Sequence, residues 1–129
     1  MRLLLDTHAF LWFIHDEPEL SNEARDLIED GGNEIWLSVV SCWEIAIKFK
    51  IGKLNLTEPF EVLLPREIAT KAFQFLDINY AHTEKTIQLD LYHRDPFDRL
   101  LIAQSLVEQM PLISNETLFD QYAGLDRRW

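Results

Sequence analysis

Short apolar runs alternate along this chain with stretches in which apolar residues recur every three to four positions. Four of the runs have the length of a buried strand: "RLLLD" (2–6), "EIWLSVV" (34–40), "QFLDI" (74–78) and "PLIS" (111–114). Strands covered on both faces read as continuous apolar runs, and helices between them cover those faces. The pattern therefore predicts an α/β protein with a central parallel sheet.

The stretches between these runs predict the covering helices. They are "HAFLWFI" (8–14), "LSNEARDLIED" (20–30), "CWEIAIKFKIGK" (42–53), two short helices divided at Pro65 in "EPFEVLLPREIATKAF" (58–73), "HTEKTIQL" (82–89), a helix begun by "HRDPFDRLLIAQ" (93–104), and "NETLFDQY" (115–122). In the helix begun by "HRDPFDRLLIAQ", Asp95 is predicted to be the N-cap, with Pro96 as the first helical residue and Asp98 in the first turn. Because no repeat or linker divides the chain, we expect a single domain over residues 1–129.

The composition adds two constraints. Twelve Lys and Arg against 22 Asp and Glu give a net charge of −10, so the surface should repel nucleic acid and suit a basic protein partner. Cys42 is the only cysteine, which excludes an internal disulfide and favours a reducing compartment. With no signal-peptide pattern and no membrane-length apolar run, we expect a cytoplasmic protein without a membrane partner.

Acidic residues follow the predicted strands at equivalent places. Asp6 ends the first strand, and Glu44 lies in the first turn of the helix after the second. Glu116 follows the last strand, and Asp98 joins them from the first turn of its own helix. Since the carboxyl ends of parallel strands share one edge, where ligands bind, we expect the four carboxylates to meet there.

Helix capping is the alternative explanation for Glu44, Asp98 and Glu116, and "DPFD" (95–98) has the capping spacing for Asp98. "SCWE" (41–44) matches a capping box, in which Glu44 would reach back to the backbone of Ser41. Ser114 or Asn115 would similarly cap the last helix, with Glu116 favoured by the helix dipole. Asp6 differs, because a carboxylate that ends a buried strand is costly unless it is paired or binds a metal.

If the four carboxylates lie close together, their mutual repulsion favours a bound cation. Two carboxylates about 4 Å apart repel by roughly 4 kcal/mol at an effective dielectric near 20, so three or four require protons or a metal ion. Oxygen-only ligands select a hard ion, Mg²⁺ or Mn²⁺, rather than zinc. Such an ion would also attract phosphate into an otherwise acidic protein.

Four motifs, "LLLDTHAFLW", "SVVSCWEIAIK", "HRDPFDRLLIAQ" and "LISNETLFDQY", stand in this order between residues 3 and 122. The series resembles that of PIN-domain ribonucleases, and most closely the VapC-type toxins of prokaryotic toxin–antitoxin pairs. The resemblance implies a three-layer α/β/α fold with a central parallel sheet. It also implies Mg²⁺- or Mn²⁺-dependent cleavage of RNA by a homodimer that a cognate antitoxin protein holds inactive.

The resemblance further implies roles for particular residues. Asp6, Glu44 and Asp98 match the acidic metal-site positions of the family, and Glu116 stands where many members have Asp. Thr7, Ser41 and Ser114 are hydroxyl residues that would support these ligands. Metal-bound water would attack phosphorus in line and leave a 5′-phosphate and a 3′-hydroxyl.

Other interpretations stay open at this point. A haloacid-dehalogenase phosphatase also begins with a strand that ends in Asp, but it needs a second acid where this chain has His8. A PIN-like binding module that has lost its ion is the non-catalytic alternative. Two basic groups either grip RNA phosphates or serve solubility: Lys48, Lys50 and Lys53 after Glu44, and Arg94 and Arg99 around Asp98. Five large apolar residues are expected mostly in the core: Phe10, Trp12, Phe13, Trp43 and Ile47.

Overall fold

The computed structural model describes all 129 residues. Its strands are β1 (Arg2–Leu5), β2 (Glu34–Ser38), β3 (Gln74–Leu76), β4 (Leu112–Ile113) and β5 (Arg127–Arg128). Its helices are α1 (Thr7–Ile14), α2 (Asn22–Glu29), α3 (Val39–Lys50), α4 (Phe60–Thr70), α5 (Tyr80–Gln88) and α6 (Pro96–Glu108), and a 3₁₀ helix covers Thr117–Gln121. None of these helices is long and apolar enough to cross a membrane.

The five strands form one sheet in the order β3-β2-β1-β4-β5, and every neighbouring pair is parallel. Alternate residues of β1 enter two separate cores. Leu3 and Leu5 pack with residues of α1, α2 and α4, whereas Leu4 packs with residues of α6. Helices therefore cover both faces, and the predicted three-layer α/β/α fold with a central parallel sheet is confirmed.

Strand β1 lies in the middle of the sheet, where the strand order reverses. From β1 the chain moves outward to β2 and β3, and then returns to place β4 on the other side of β1. Crevices for ligands form at such a switch point, outside the carboxyl ends of the strands. Asp6 and Ser114 directly follow the two strands that border it.

Several predicted helix boundaries were wrong: α5 begins at Tyr80 rather than His82, and the last predicted helix (115–122) is a 3₁₀ helix over Thr117–Gln121. Helix α3 begins at Val39 rather than Cys42, and its N-cap is Ser38, whose hydroxyl accepts from the Val40 amide at 3.0 Å. Two consecutive valines favour a strand locally, but a seryl cap directly after β2 starts the helix earlier. Ser41 and Glu44 therefore lie inside α3, and they do not form the predicted capping box.

The expected break at Pro65 is also absent, because α4 runs through it. Leu63 and Leu64 before the proline and Ile68 after it are all buried in one core cluster. This packing holds the helix together despite the missing backbone N–H.

Candidate active site

Asp6 is held where β1 passes into α1. Its carboxylate caps α1 by accepting from the Ala9 amide at 2.7 Å, and the residue is 6% exposed. Burial raises the pKa of this carboxyl, while hydrogen bonds from Ser114 and the Ala9 amide oppose the change. The sequence did not predict this capping role. The cap engages one oxygen of the carboxylate, and burial still makes the charged form of Asp6 costly.

Glu44 reaches the same edge from the second turn of α3, and its side chain is 5% exposed. Thr7 Oγ1 donates to Glu44 Oε1 at 2.7 Å, and the Ser41 hydroxyl lies 3.0 Å from Thr7 Oγ1. The other carboxylate oxygen, Oε2, accepts from Lys48 Nζ at 2.6 Å. Thr7 and Ser41 are thus the hydroxyl residues that orient Glu44.

Asp98 enters the site from the first turn of α6. Asp95 is the N-cap of α6, and its Oδ1 accepts from the Asp98 amide at 3.0 Å, as predicted. Burial raises the pKa of Asp98 from 3.8 to about 7, with further contributions from the charges of Asp95, Glu44, Asp6 and Glu116. The five acids therefore share one region of strongly negative potential.

His93 is the residue at this site that the sequence analysis missed. Its Nδ1 accepts from the Asp95 amide at 3.2 Å, so in the neutral ring the proton lies on Nε2. Nε2 is 3.1 Å from Asp98 Oδ2. The short spacing between His93 and Asp98 in "HRDPFD" was the available signal, but a histidine in a loop has no periodic pattern that fixes where it points.

Glu116 is the outermost of the four predicted acids. It is exposed, and it caps the 3₁₀ helix through a bond that Oε1 accepts from the Leu118 amide at 3.3 Å. Ser114 Oγ accepts from the Glu116 amide at 3.0 Å, so Ser114 contacts both Glu116 and Asp6. Glu116 itself is the cap, rather than Ser114 or Asn115 as expected.

The basic residues near the site have different roles. The Arg99 guanidinium donates to the backbone carbonyls of Asp90, His93, Thr86 and Leu89 at 2.9–3.2 Å. It therefore clamps the loop that carries His93 and has few donors left for phosphate.

Trp43 is 62% exposed beside Phe97 rather than buried in the core, with ring centroids 5.5 Å apart.

The donor set fits a hard divalent cation, since it consists of carboxylate oxygens whose mutual repulsion a cation would relieve. As the side chains stand, no three His, Cys, Asp or Glu residues come together in a group that could hold a metal ion. Both oxygens of Glu44 are engaged by the chain itself, Oε1 by Thr7 and Oε2 by Lys48. A cation, the Lys48 ammonium, already lies against the cluster.

Comparison with known proteins agrees with this architecture. The family model for the PIN domain matches residues 3–125. The chain is 37% identical over 73 residues to Ribonuclease VapC16 of Mycobacterium tuberculosis, an alignment covering 54% of this chain and 52% of that protein. The chain thus spans about half the length of the curated relative that it matches.

Solved structures share the fold over nearly the whole chain. The VapBC2 complex of Rickettsia felis, bound to a promoter DNA fragment, gives a TM-score of 0.75 at 17% identity, covering 100% of this chain and 99% of that chain. VapBC-1 of nontypeable Haemophilus influenzae gives a TM-score of 0.69 at 15% identity, covering 99% and 97%. At such identities the likeness describes the fold.

Proposed function

This chain belongs to the PIN-domain family, and from that premise we propose that it is a metal-dependent ribonuclease. The observation that carries the proposal is that Asp6, Glu44 and Asp98 lie near enough at the switch point of the sheet for their charges to act on one another. Two of them are almost completely buried, and the third has its pKa raised to about 7 partly by the charges of the others. The named relative, Ribonuclease VapC16, supports RNA as the substrate.

Asp6, Glu44 and Asp98 would hold Mg²⁺ or Mn²⁺, and Glu116 would contribute from the exposed rim. When bound, the ion would supply positive charge for a phosphate oxygen and lower the pKa of a water molecule that attacks phosphorus. The hydroxyl groups of Thr7, Ser41 and Ser114 would keep the carboxylates oriented.

His93 would likewise keep the Asp98 carboxylate oriented. Its Nε2 lies 3.1 Å from Asp98 Oδ2, and the Arg99 guanidinium donates to the backbone carbonyl of His93 at 3.0 Å. This arrangement limits Asp98 to a narrow range of positions, because both the ring and the loop that carries it are held. The chain thereby prepares the carboxylate for a ligand before the ligand arrives.

We further propose that the protein is the toxin of a VapBC-type toxin–antitoxin pair, which works as a cytoplasmic homodimer restrained by its antitoxin. The solved VapBC complexes with the same fold support a protein partner. An apolar groove of about 810 Å³, bounded by α4, the start of α3 and strand β3, would accept an apolar segment of that partner. The net charge of −10 complements a basic partner.

One observation favours the alternative of a non-catalytic PIN-like module: no group of three potential ligands is preassembled. RNA cleavage assays distinguish the two. We expect cleavage in Mg²⁺, loss of cleavage in EDTA, and restoration when Mg²⁺ is added back. Asp6→Asn should fold and leave RNA intact, whereas cleavage by this variant at saturating Mg²⁺ would contradict the proposal.

A further inference from the structure

Lys48 and Glu44 form an ion pair that differs from the other pairs on the surface. Lys48 Nζ lies 2.6 Å from Glu44 Oε2 across one turn of α3, and the Glu44 side chain is 5% exposed. The second oxygen of Glu44 is taken by Thr7. A pair with one partner almost fully buried is screened far less than an exposed helix pair of the same spacing.

The ammonium group of Lys48 also faces the rest of the acidic cluster. Its pKa is raised first by the hydrogen bond to Glu44, and the charges of Asp95 and Asp98 add to that effect. No other lysine or arginine makes an ion pair with Asp6, Glu44, Asp98 or Glu116. Lys48, whose side chain is 39% exposed, is thus the lysine that pairs directly with one of the four acids.

We propose that the Lys48 ammonium neutralises the Glu44 carboxylate in the metal-free protein. It would therefore compete with a divalent ion for the Glu44 carboxylate. The inference depends on the proposed function only in requiring that the site binds such an ion. A lysine ammonium and a divalent cation cannot both contact one carboxylate oxygen without strong mutual repulsion. Lys48 thus lowers the ion affinity and, when the ion enters, is released toward the solvent-exposed side.

This role differs from a general attraction for phosphate, and Lys50 provides the matched comparison. Lys50 lies two residues further along α3, is exposed, and forms no ion pair. Removing either lysine changes the net charge equally. Only the loss of Lys48 frees Glu44, so only that substitution should change the competition for its oxygen.

The test compares Lys48→Gln, Lys50→Gln and Lys48→Arg in the full-length protein. The affinity for Mn²⁺ is measured without RNA, from the electron paramagnetic resonance signal of the unbound ion. We expect Lys48→Gln to bind Mn²⁺ about tenfold more tightly, since one unit of competing charge is removed, and Lys50→Gln to change the affinity less than about twofold. Lys48→Arg keeps the charge and should stay near the wild-type affinity.

A second measurement does not require the ion. In EDTA, the melting temperature of Lys48→Gln should fall below that of Lys50→Gln, because the buried Glu44 carboxylate loses its partner. Equal Mn²⁺ affinities in the two glutamine variants, or weaker binding by Lys48→Gln, would overturn the inference alone. Absence of Mn²⁺ binding in every protein would overturn it together with the metal dependence of the proposed function.

Discussion

Replacing Asp98 by Asn should stabilise the metal-free protein while it removes a residue of the site. In the folded chain the pKa of Asp98 is raised from 3.8 to about 7, first by burial and then by the charges of Asp95, Glu44, Asp6 and Glu116. Asn has nearly the same shape as Asp and carries no charge.

The magnitude follows from the size of this pKa change. At 1.36 kcal/mol per unit, a rise from 3.8 to about 7 corresponds to roughly 4 kcal/mol as an upper bound. The side chain is 29% exposed, and solvent screening reduces the expected gain to about 2 kcal/mol. Because the folded pKa of Asp98 is raised, the contribution of this residue to stability is fully present below about pH 4 and is lost as the pH rises through about 7.

Urea denaturation in EDTA measures the effect. The midpoint for Asp98→Asn should exceed that of the wild type clearly at pH 8 and by less at pH 5. Glu84→Gln is the matched control, since Glu84 is exposed on α5 without an ion pair and its loss changes the net charge equally. A midpoint for Asp98→Asn at or below that of Glu84→Gln at pH 8 would refute the reasoning.

Two further substitutions test the parts that support the site. Arg99→Met should lower the free energy of unfolding by about 2–3 kcal/mol, because four backbone carbonyls lose a charged donor. Arg94→Met, an exposed neighbour, should change the urea midpoint little, and equal losses would contradict the clamp. Thr7→Val should keep the fold but slow RNA cleavage by about 10- to 100-fold, since Glu44 loses the bond that orients it. An unchanged single-turnover rate would show that this bond is dispensable.

The sequence predicted the strands and their parallel arrangement well, because buried strands carry a continuous apolar signal. It failed where tertiary packing decides. Val39 and Val40 look like strand residues, and only the observed Ser38 cap shows that α3 begins there. Strand β5 was missed altogether, since Arg127 and Arg128 have no apolar pattern and pair with β4 at the edge of the sheet.

The candidate site was predictable in its residue types but not in its contacts. Asp6 and Asp98 could be expected to meet, because strand ends and helix starts fall at one edge of a parallel sheet. The Lys48–Glu44 pair and the His93–Asp98 contact depend on side-chain direction, which spacing alone leaves open. Capping does not use the whole Asp6 carboxylate, since the α1 cap engages only Oδ1.

Calorimetric titration of Mg²⁺ into the wild type, Asp6→Asn and Asp98→Asn tests the central claim most directly. The account predicts binding to the wild type that weakens at least about tenfold in each variant, because each loses a charged oxygen ligand. Folding of both variants is checked by circular dichroism. Binding of equal affinity in all three proteins would contradict the claim that these carboxylates form a divalent-ion site.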